Sequence, residues 1–207
     1  MPIRWTQGAM REVALQERAS VGLTAFQRLN PYRLAAEHGI AVYPVDELAD
    51  DHESARAVRH FTETRRHIWS AALIPIGSAR VIIENTVHSP RRRLSSIAHE
   101  LSHHLLEHGF DDVLLTDGGC RRFNVEKERQ ARFLSGELLI PLPAAKRAAF
   151  GGKTNREVAL AFGVSEQFAQ MQMAGPRILA HRAQVRQSAT SGRSMRDRSP
   201  ILIESVS

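Results

Sequence analysis

The sequence predicts an α+β fold, mostly helical, with one small β-sheet. Two apolar runs, His67 to Pro75 and Arg80 to Asn85, bracket the turn dipeptide Gly77-Ser78, which is the signature of a β-hairpin. Around this hairpin, cap signals divide the chain into helical segments. Asn30-Pro31, Ser89-Pro90 and Asn124 open such segments, and Gly39, Gly109 and Pro141 close them. Helices, then one small sheet, then more helices indicate α+β.

From the N-terminus, a first helix is expected from about Met10 to Gln27, with Val13, Ala14, Glu17 and Val21 at helical spacing. Asn30 caps a short helix that starts at Pro31, runs through Glu37 and ends at Gly39. Ile40 to Val45 then reads as a strand, and Asp46 to Ala49 as one more helical turn. The charged stretch His52 to His60 is a loop or a short helix. Pro75 has no N–H to give a sheet, so the first run of the hairpin ends there or lies at an edge. Ser89-Pro90 opens a helix to about His108, stopped at Gly109. Phe110 to Phe123, with Asp-Asp and Asp-Gly-Gly, reads as a connecting loop. Asn124 caps a second long helix to about Leu139, and a short helix follows from Pro143 to Phe150. Thr154 or Asn155 caps another to Phe162. Gly163-Val164-Ser165 turns the chain into a last helix, expected to end near Gly175-Pro176.

With 207 residues and 43% hydrophobic side chains the chain can bury one good-sized core, and aromatics at 6% leave that core to Leu, Ile, Val and Ala. The single cysteine, Cys120, excludes an internal disulfide, fits a reducing compartment and reads as an incidental thiol. The first residues lack an apolar stretch of signal-peptide length, and no run approaches the roughly 18 apolar residues of a membrane span. A cytoplasmic chain without a membrane partner is expected. The net charge of +6 is spread between Arg91-Arg92-Arg93 and a C-terminal group including Arg182, Arg186, Arg193, Arg196 and Arg198. Basic tails bind nucleic acid loosely, so nucleic acid is expected only as a secondary partner. The chain divides into an N-terminal extension (1–9), one domain (10–186) with a small helical subregion (155–186), and a basic tail of disordered composition (187–207).

The chemistry is concentrated in Ile97-Ala98-His99-Glu100-Leu101-Ser102-His103-His104. Residues at i and i+4 of a helix share a face, so His99 and His103 aim two imidazoles at one Zn²⁺. Glu100 is rotated by about 100° from His99 and reaches a water beside the metal instead of displacing it. The bland alternative is a His-rich surface helix. The apolar flanks Leu94, Ile97, Ala98, Leu101, Leu105 and Leu106 speak against it, because a buried histidine pair is costly unless something satisfies it. The small sheet is expected to pack against this helix. A catalytic zinc site needs a third protein ligand, and glutamates lie downstream in Val125-Glu126-Lys127-Glu128.

Leu94 to His103 resembles the hallmark of the ImmA/IrrE family of metallopeptidases. Glu128-Arg129-Gln130-Ala131-Arg132-Phe133 with Leu138-Leu139-Ile140-Pro141 resembles its second block, and Leu160-Ala161-Phe162-Gly163-Val164-Ser165 its third. The resemblance spans roughly Leu15 to Met173. It implies a gluzincin-like site with one zinc per chain, His99, His103 and Glu128 as ligands and Glu100 as the general base. It also implies a protein substrate, because family members characteristically cleave helix-turn-helix repressors. Three positions depart from the pattern: Ser102 where Gly is usual, Arg132 where Asn is common, and Gln172 near a usual Arg. The helix itself separates the two glutamates. Glu126 and Glu128 differ by about 200°, and the stripe from Glu128 continues through Ala131, Ser135 and Leu138, small enough for close helix approach. The stripe from Glu126 continues through Arg129, Gln130, Phe133 and Glu137, mostly a solvated face. A second donor for the oxyanion is expected among His60, His67, His88, His104 and His108.

The rival from another class is a DNA-binding regulator, because Glu157 to Phe168 has the cadence of a helix-turn-helix with Gly163 in the turn. Its second helix offers Glu166, Gln167, Gln170 and Gln172, with no cation before Arg177, and is a poor reader of phosphate. A third reading makes the metal structural, but structural sites are usually closed by four protein ligands and would leave Glu100 unused.

Overall fold

The computed structural model describes residues 5–109 and 124–196, with side chains as far as Ser188. The expected loop Phe110 to Phe123, with Cys120 in it, and the tail beyond Arg196 lie outside the described residues. Mostly helical α+β architecture is observed, with a three-stranded sheet in the first half of the chain.

Helix α1 (Gln7–Ser20) starts and ends earlier than expected. Thr6 caps it, its hydroxyl accepting the Ala9 N–H at 3.1 Å. Gly22, at φ +74°, stops it. The Gly22 N–H bonds the Ala19 carbonyl and the Leu23 N–H the Arg18 carbonyl, a Schellman ending that needs a left-handed residue. The following segment stays non-helical because the buried Arg18 guanidinium holds the carbonyls of Thr24 and Gln27 and reaches that of Leu138. Helix α2 (Pro31–Glu37) has the expected Asn30 cap.

Strand β1 (Ala41–Pro44) leads through a 3₁₀ turn (Val45–Leu48), α3 (His52–Arg59) and a π turn (His60–Thr64) to the hairpin β2 (Ala71–Ile76) and β3 (Ala79–Glu84). The sheet order is β1-β3-β2, with β1 parallel to β3 and β2 antiparallel to it, so Val42 and Leu73 flank Ile82. Pro75 sits opposite Arg80 inside β2, which is tolerable because β2 is an edge strand. The hairpin starts at Ala71 and not His67. The fully buried Asn85 amide donates to the carbonyls of Phe61, Arg66 and Trp69 and holds residues 65–70 out of the strand.

Helices α4 (Pro90–Leu105) and α5 (Val125–Leu139) pack on each other, and α4 also packs on β2 and β3. Met10, Leu34, Leu73, Ile82, Ile97, Leu101 and Leu138 form the shared core of α1, α2, the sheet, α4 and α5. Glu84, 2% exposed, accepts from Nε and Nη2 of Arg93 (2.9 and 2.6 Å) and from the Tyr32 hydroxyl (2.6 Å), fastening α2 and α4 to β3. Burial, and then Glu84, push the Tyr32 phenol up to about 12. Helices α6 (Leu142–Phe150), α7 (Asn155–Phe162) and α8 (Glu166–Arg196) build a second core with Leu139, Ala144, Val158, Phe162 and Met173. The last helix runs through Gly175-Pro176, where the sequence reading ended it. Ala169, Met173, Pro176 and Ala180 keep one buried face across the proline, and tertiary burial outweighs the local breaker.

Helix α4 ends before Gly109, the expected stop. Glu107 takes the left-handed conformation (φ 52°), its N–H bonding the His104 carbonyl and the His108 N–H the His103 carbonyl, each at 3.0 Å. A non-glycine residue there costs about 1–2 kcal/mol, part of which glycine returns as chain entropy. Glu107→Gly is therefore expected to stabilise the fold by roughly 0.5–1 kcal/mol, or about 1–4 °C in melting temperature; an unchanged or lower value would show that Glu107 is unstrained. On α8, residues 184–188 are all exposed. Stopping the chain after Gln187 is expected to move the melting temperature by less than about 2 °C. A larger drop in a thermal scan would make the removed segment part of the folded domain.

Candidate metal centre

Helix α4 buries Ile97, Ala98 and Leu101 completely. His99 and His103, one turn apart, project half-buried from the adjoining face with ring centroids 4.9 Å apart. From the first turn of α5, Glu128 meets both. His99 Nε2 lies 3.2 Å from His103 Nε2 and 3.2 Å from Glu128 Oε2, and His103 Nε2 lies 3.4 Å from Glu128 Oε1. Tetrahedral zinc with bonds of about 2.0–2.2 Å separates its ligand atoms by about 3.3–3.5 Å. Two imidazoles and a carboxylate at the observed spacing therefore fit one such ion, and among the described residues they form the group of His, Cys, Asp and Glu able to hold a metal. Hydrogen bonds from His103 and then His99 hold the Glu128 carboxyl well below the ordinary carboxylate range, so it is ionised, the form a metal takes.

Glu126 points elsewhere. Its carboxylate accepts from Arg129 at 2.8 Å and from the Gln130 amide at 3.0 Å on the exposed side of α5. Glu100 is 8% exposed, and its Oε2 accepts the Leu73 N–H of β2 at 3.0 Å. With His99 it lines a cleft of about 210 Å³ completed by Ser70, Ala71, Arg92, Ser95 and Ser96.

The five remaining histidines considered from sequence scatter around this cleft. His88 is buried behind it, its Nε2 3.0 Å from the Trp69 carbonyl and 3.3 Å from the Ser70 hydroxyl. His104 faces away, 2.8 Å from Arg80 and edge-on to His38, and burial, then Arg80, lower its pKa. His108 sits behind His103, its pKa lowered chiefly by burial. His60 packs edge-on to Phe61, and His67 is exposed beside Arg66. Sequence reasoning counted Arg92 only as part of a basic run. Its spacing of seven from His99, with Ser95 and Ser96 between, was the available sign that they share a face.

The departures from the family pattern are absorbed locally. Ser102 is fully buried, and its hydroxyl bonds the Ala98 carbonyl at 2.7 Å, so α5 owes it no partner. Gln172 covers Gly136, where a Cβ would fall 2.0 Å from its amide nitrogen. Arg132 is exposed at a groove with Trp5 and Phe133.

The two glutamates are separable by experiment. Glu128→Ala is expected to lose zinc affinity by more than the about 10–100-fold typical of partners that only support a ligand, while Glu126→Ala still binds it stoichiometrically. Metal analysis after dialysis reads both, and the reverse pattern would overturn the assignment of α5's inward face.

The model of the IrrE N-terminal-like domain, a peptidase family, matches residues 35–173. Searches of curated proteins and of solved structures gave no match. The matched span covers both metal-facing helices and the sheet beneath them. The chain belongs to the IrrE N-terminal-like, or ImmA/IrrE, family of metallopeptidases.

Proposed function

We propose that this chain is a zinc-dependent endopeptidase, with His99, His103 and Glu128 holding one zinc ion and Glu100 acting as general base. The observation that carries this reading is the convergence of three ligand atoms at 3.2–3.4 Å beside a cleft lined by the Glu100 carboxylate. Zinc, when bound, polarises a carbonyl and brings the pKa of a bound water near 7. Glu100 accepts the proton of the attacking water as the oxygen adds to the scissile carbonyl. It then gives that proton to the departing amine, which leaves as the C–N bond breaks. The Leu73 N–H fixes one Glu100 oxygen and so sets the direction in which the carboxylate faces the cleft. Arg92, which lines the cleft and donates to the Ser70 hydroxyl at 2.9 Å, supplies positive charge there for substrate carbonyl oxygens.

The substrate in this reading is a helix-turn-helix repressor, supported by family membership, and the reaction takes place in the cytoplasm, supported by the single cysteine. No helix among the described residues is long and apolar enough to cross a membrane.

Glu100→Gln is expected to retain zinc and lose at least about 10²-fold in cleavage, because an amide cannot take the proton. The assay is zinc-loaded protein incubated with the helix-turn-helix repressor encoded nearest to it, with fragments identified by mass. Wild-type cleavage by the variant, or loss of its zinc, would sink the mechanism.

A further inference from the structure

The hydrogens behind His103 can be assigned outward from the metal position. His103 Nε2 faces His99 and Glu128, and a ligating imidazole nitrogen carries no proton. The neutral ring has one N–H, which must then be on Nδ1. That atom lies 2.9 Å from Nδ1 of His108. His103 donates, so His108 accepts there and carries its own proton on Nε2, 3.0 Å from Gln130 Oε1. Gln130 is turned to receive it, because its amide nitrogen donates to Glu126 Oε1 at 3.0 Å. With Nε2 of His103 a ligand, this assignment gives each hydrogen of the chain one donor and one acceptor. The backbone is bent to the same end. Glu107 takes a left-handed turn usually left to glycine, and this turn folds His108 back against the helix that carries His103.

We infer that His108 and Gln130 are positioning residues that hold His103 in its Nδ1–H tautomer and present its Nε2 lone pair to the metal, an inference that rests on the metal-centre reading above. Outer partners of this kind fix the orientation of a ligating imidazole, and their loss typically costs about 10–100-fold in metal affinity. His108 is 7% exposed, so a packing role has to be separated from a hydrogen-bonding one.

The test compares wild type with His108→Leu, His108→Asn and Gln130→Met, measuring zinc affinity by competition with a chelator. Ring tautomers in the zinc-loaded protein are read by ¹⁵N–¹H NMR. Asparagine places an amide oxygen where the histidine Nδ1 lies and still accepts from His103; leucine fills space and cannot. The expected result is the Nδ1–H tautomer of His103 in wild type, a loss of about 10–100-fold in His108→Leu, near-wild-type affinity in His108→Asn, and about 10-fold loss in Gln130→Met. Equal losses in His108→Leu and His108→Asn would reduce His108 to packing, and a proton on His103 Nε2 would also overturn the inference. Should His108→Leu fail to fold, Gln130→Met decides alone, wild-type affinity overturning the relay. Wild type that binds no zinc overturns the metal-centre reading itself, whereas wild type that binds zinc alongside unaffected variants overturns only the relay.

Discussion

Three ligand atoms from two helices have to meet within 3.2–3.4 Å, and the surrounding structure serves to make that approach possible. Helices normally pack with axes 8–10 Å apart, the distance set by side chains at the contact. Ala98 and Ser102 on α4, and Ala131 and Ser135 on α5, are buried and small, which permits the close end of that range. Each helix is also tied at a point away from the site. Arg93 fastens the start of α4 to Glu84 on β3, and Arg18 on α1 reaches the Leu138 carbonyl near the end of α5. The three atoms are thus brought together by contacts other than their own, so the group is held in place by the fold.

The sheet contributes more than a surface to pack on. An edge strand exposes N–H groups that need partners, and β2 gives one of them, from Leu73, to the Glu100 carboxylate. A single bond therefore closes part of the edge and fixes the direction of the proposed base. Glu100 lies one residue past His99, so the helical turn that puts the imidazoles toward α5 turns this carboxylate toward the sheet. The short hairpin ahead of the motif is what makes that partner available.

Much of this was legible in the sequence because the signals were local. The i, i+4 histidines, the Asn30 and Asn124 caps and the Gly77-Ser78 turn depend on neighbouring residues, and each appears where those residues put it. The failures came from distant partners. Nothing near Gly175-Pro176 announces that the buried face of α8 continues to Ala180, and nothing near His67 announces that Asn85 will hold residues 65–70 out of the sheet. Gly22 was a readable stop for α1, but Arg18, which secures the turn after it, acts through carbonyls that no pattern marks. In the site, the convergence of His99, His103 and Glu128 followed from helix phase. Arg92, Ser70 and Gln130 did not, since each matters through a neighbour brought by folding. The α7–Gly163–α8 turn was legible as well, and its buried residues join the core of α5 and α6, while Glu166, Gln167 and Gln170 face solvent without a cation among them.

The position of Glu126 shows why helix phase decides function more finely than residue type. It and Glu128 share a first turn, a charge and a side chain, and about 200° of rotation separates them. That rotation leaves Glu128 against two imidazoles, where their hydrogen bonds keep it ionised. It sends Glu126 to the exposed side of the helix, where its carboxylate accepts from Arg129 and from the Gln130 amide. Because Gln130 is one turn beyond Glu126 and reaches His108, the outward glutamate still bears on the site through two further hydrogen bonds. A carboxylate at either position therefore acts on the same imidazole, His103, from opposite sides: Glu128 by direct contact with Nε2, Glu126 by fixing what Nδ1 can meet.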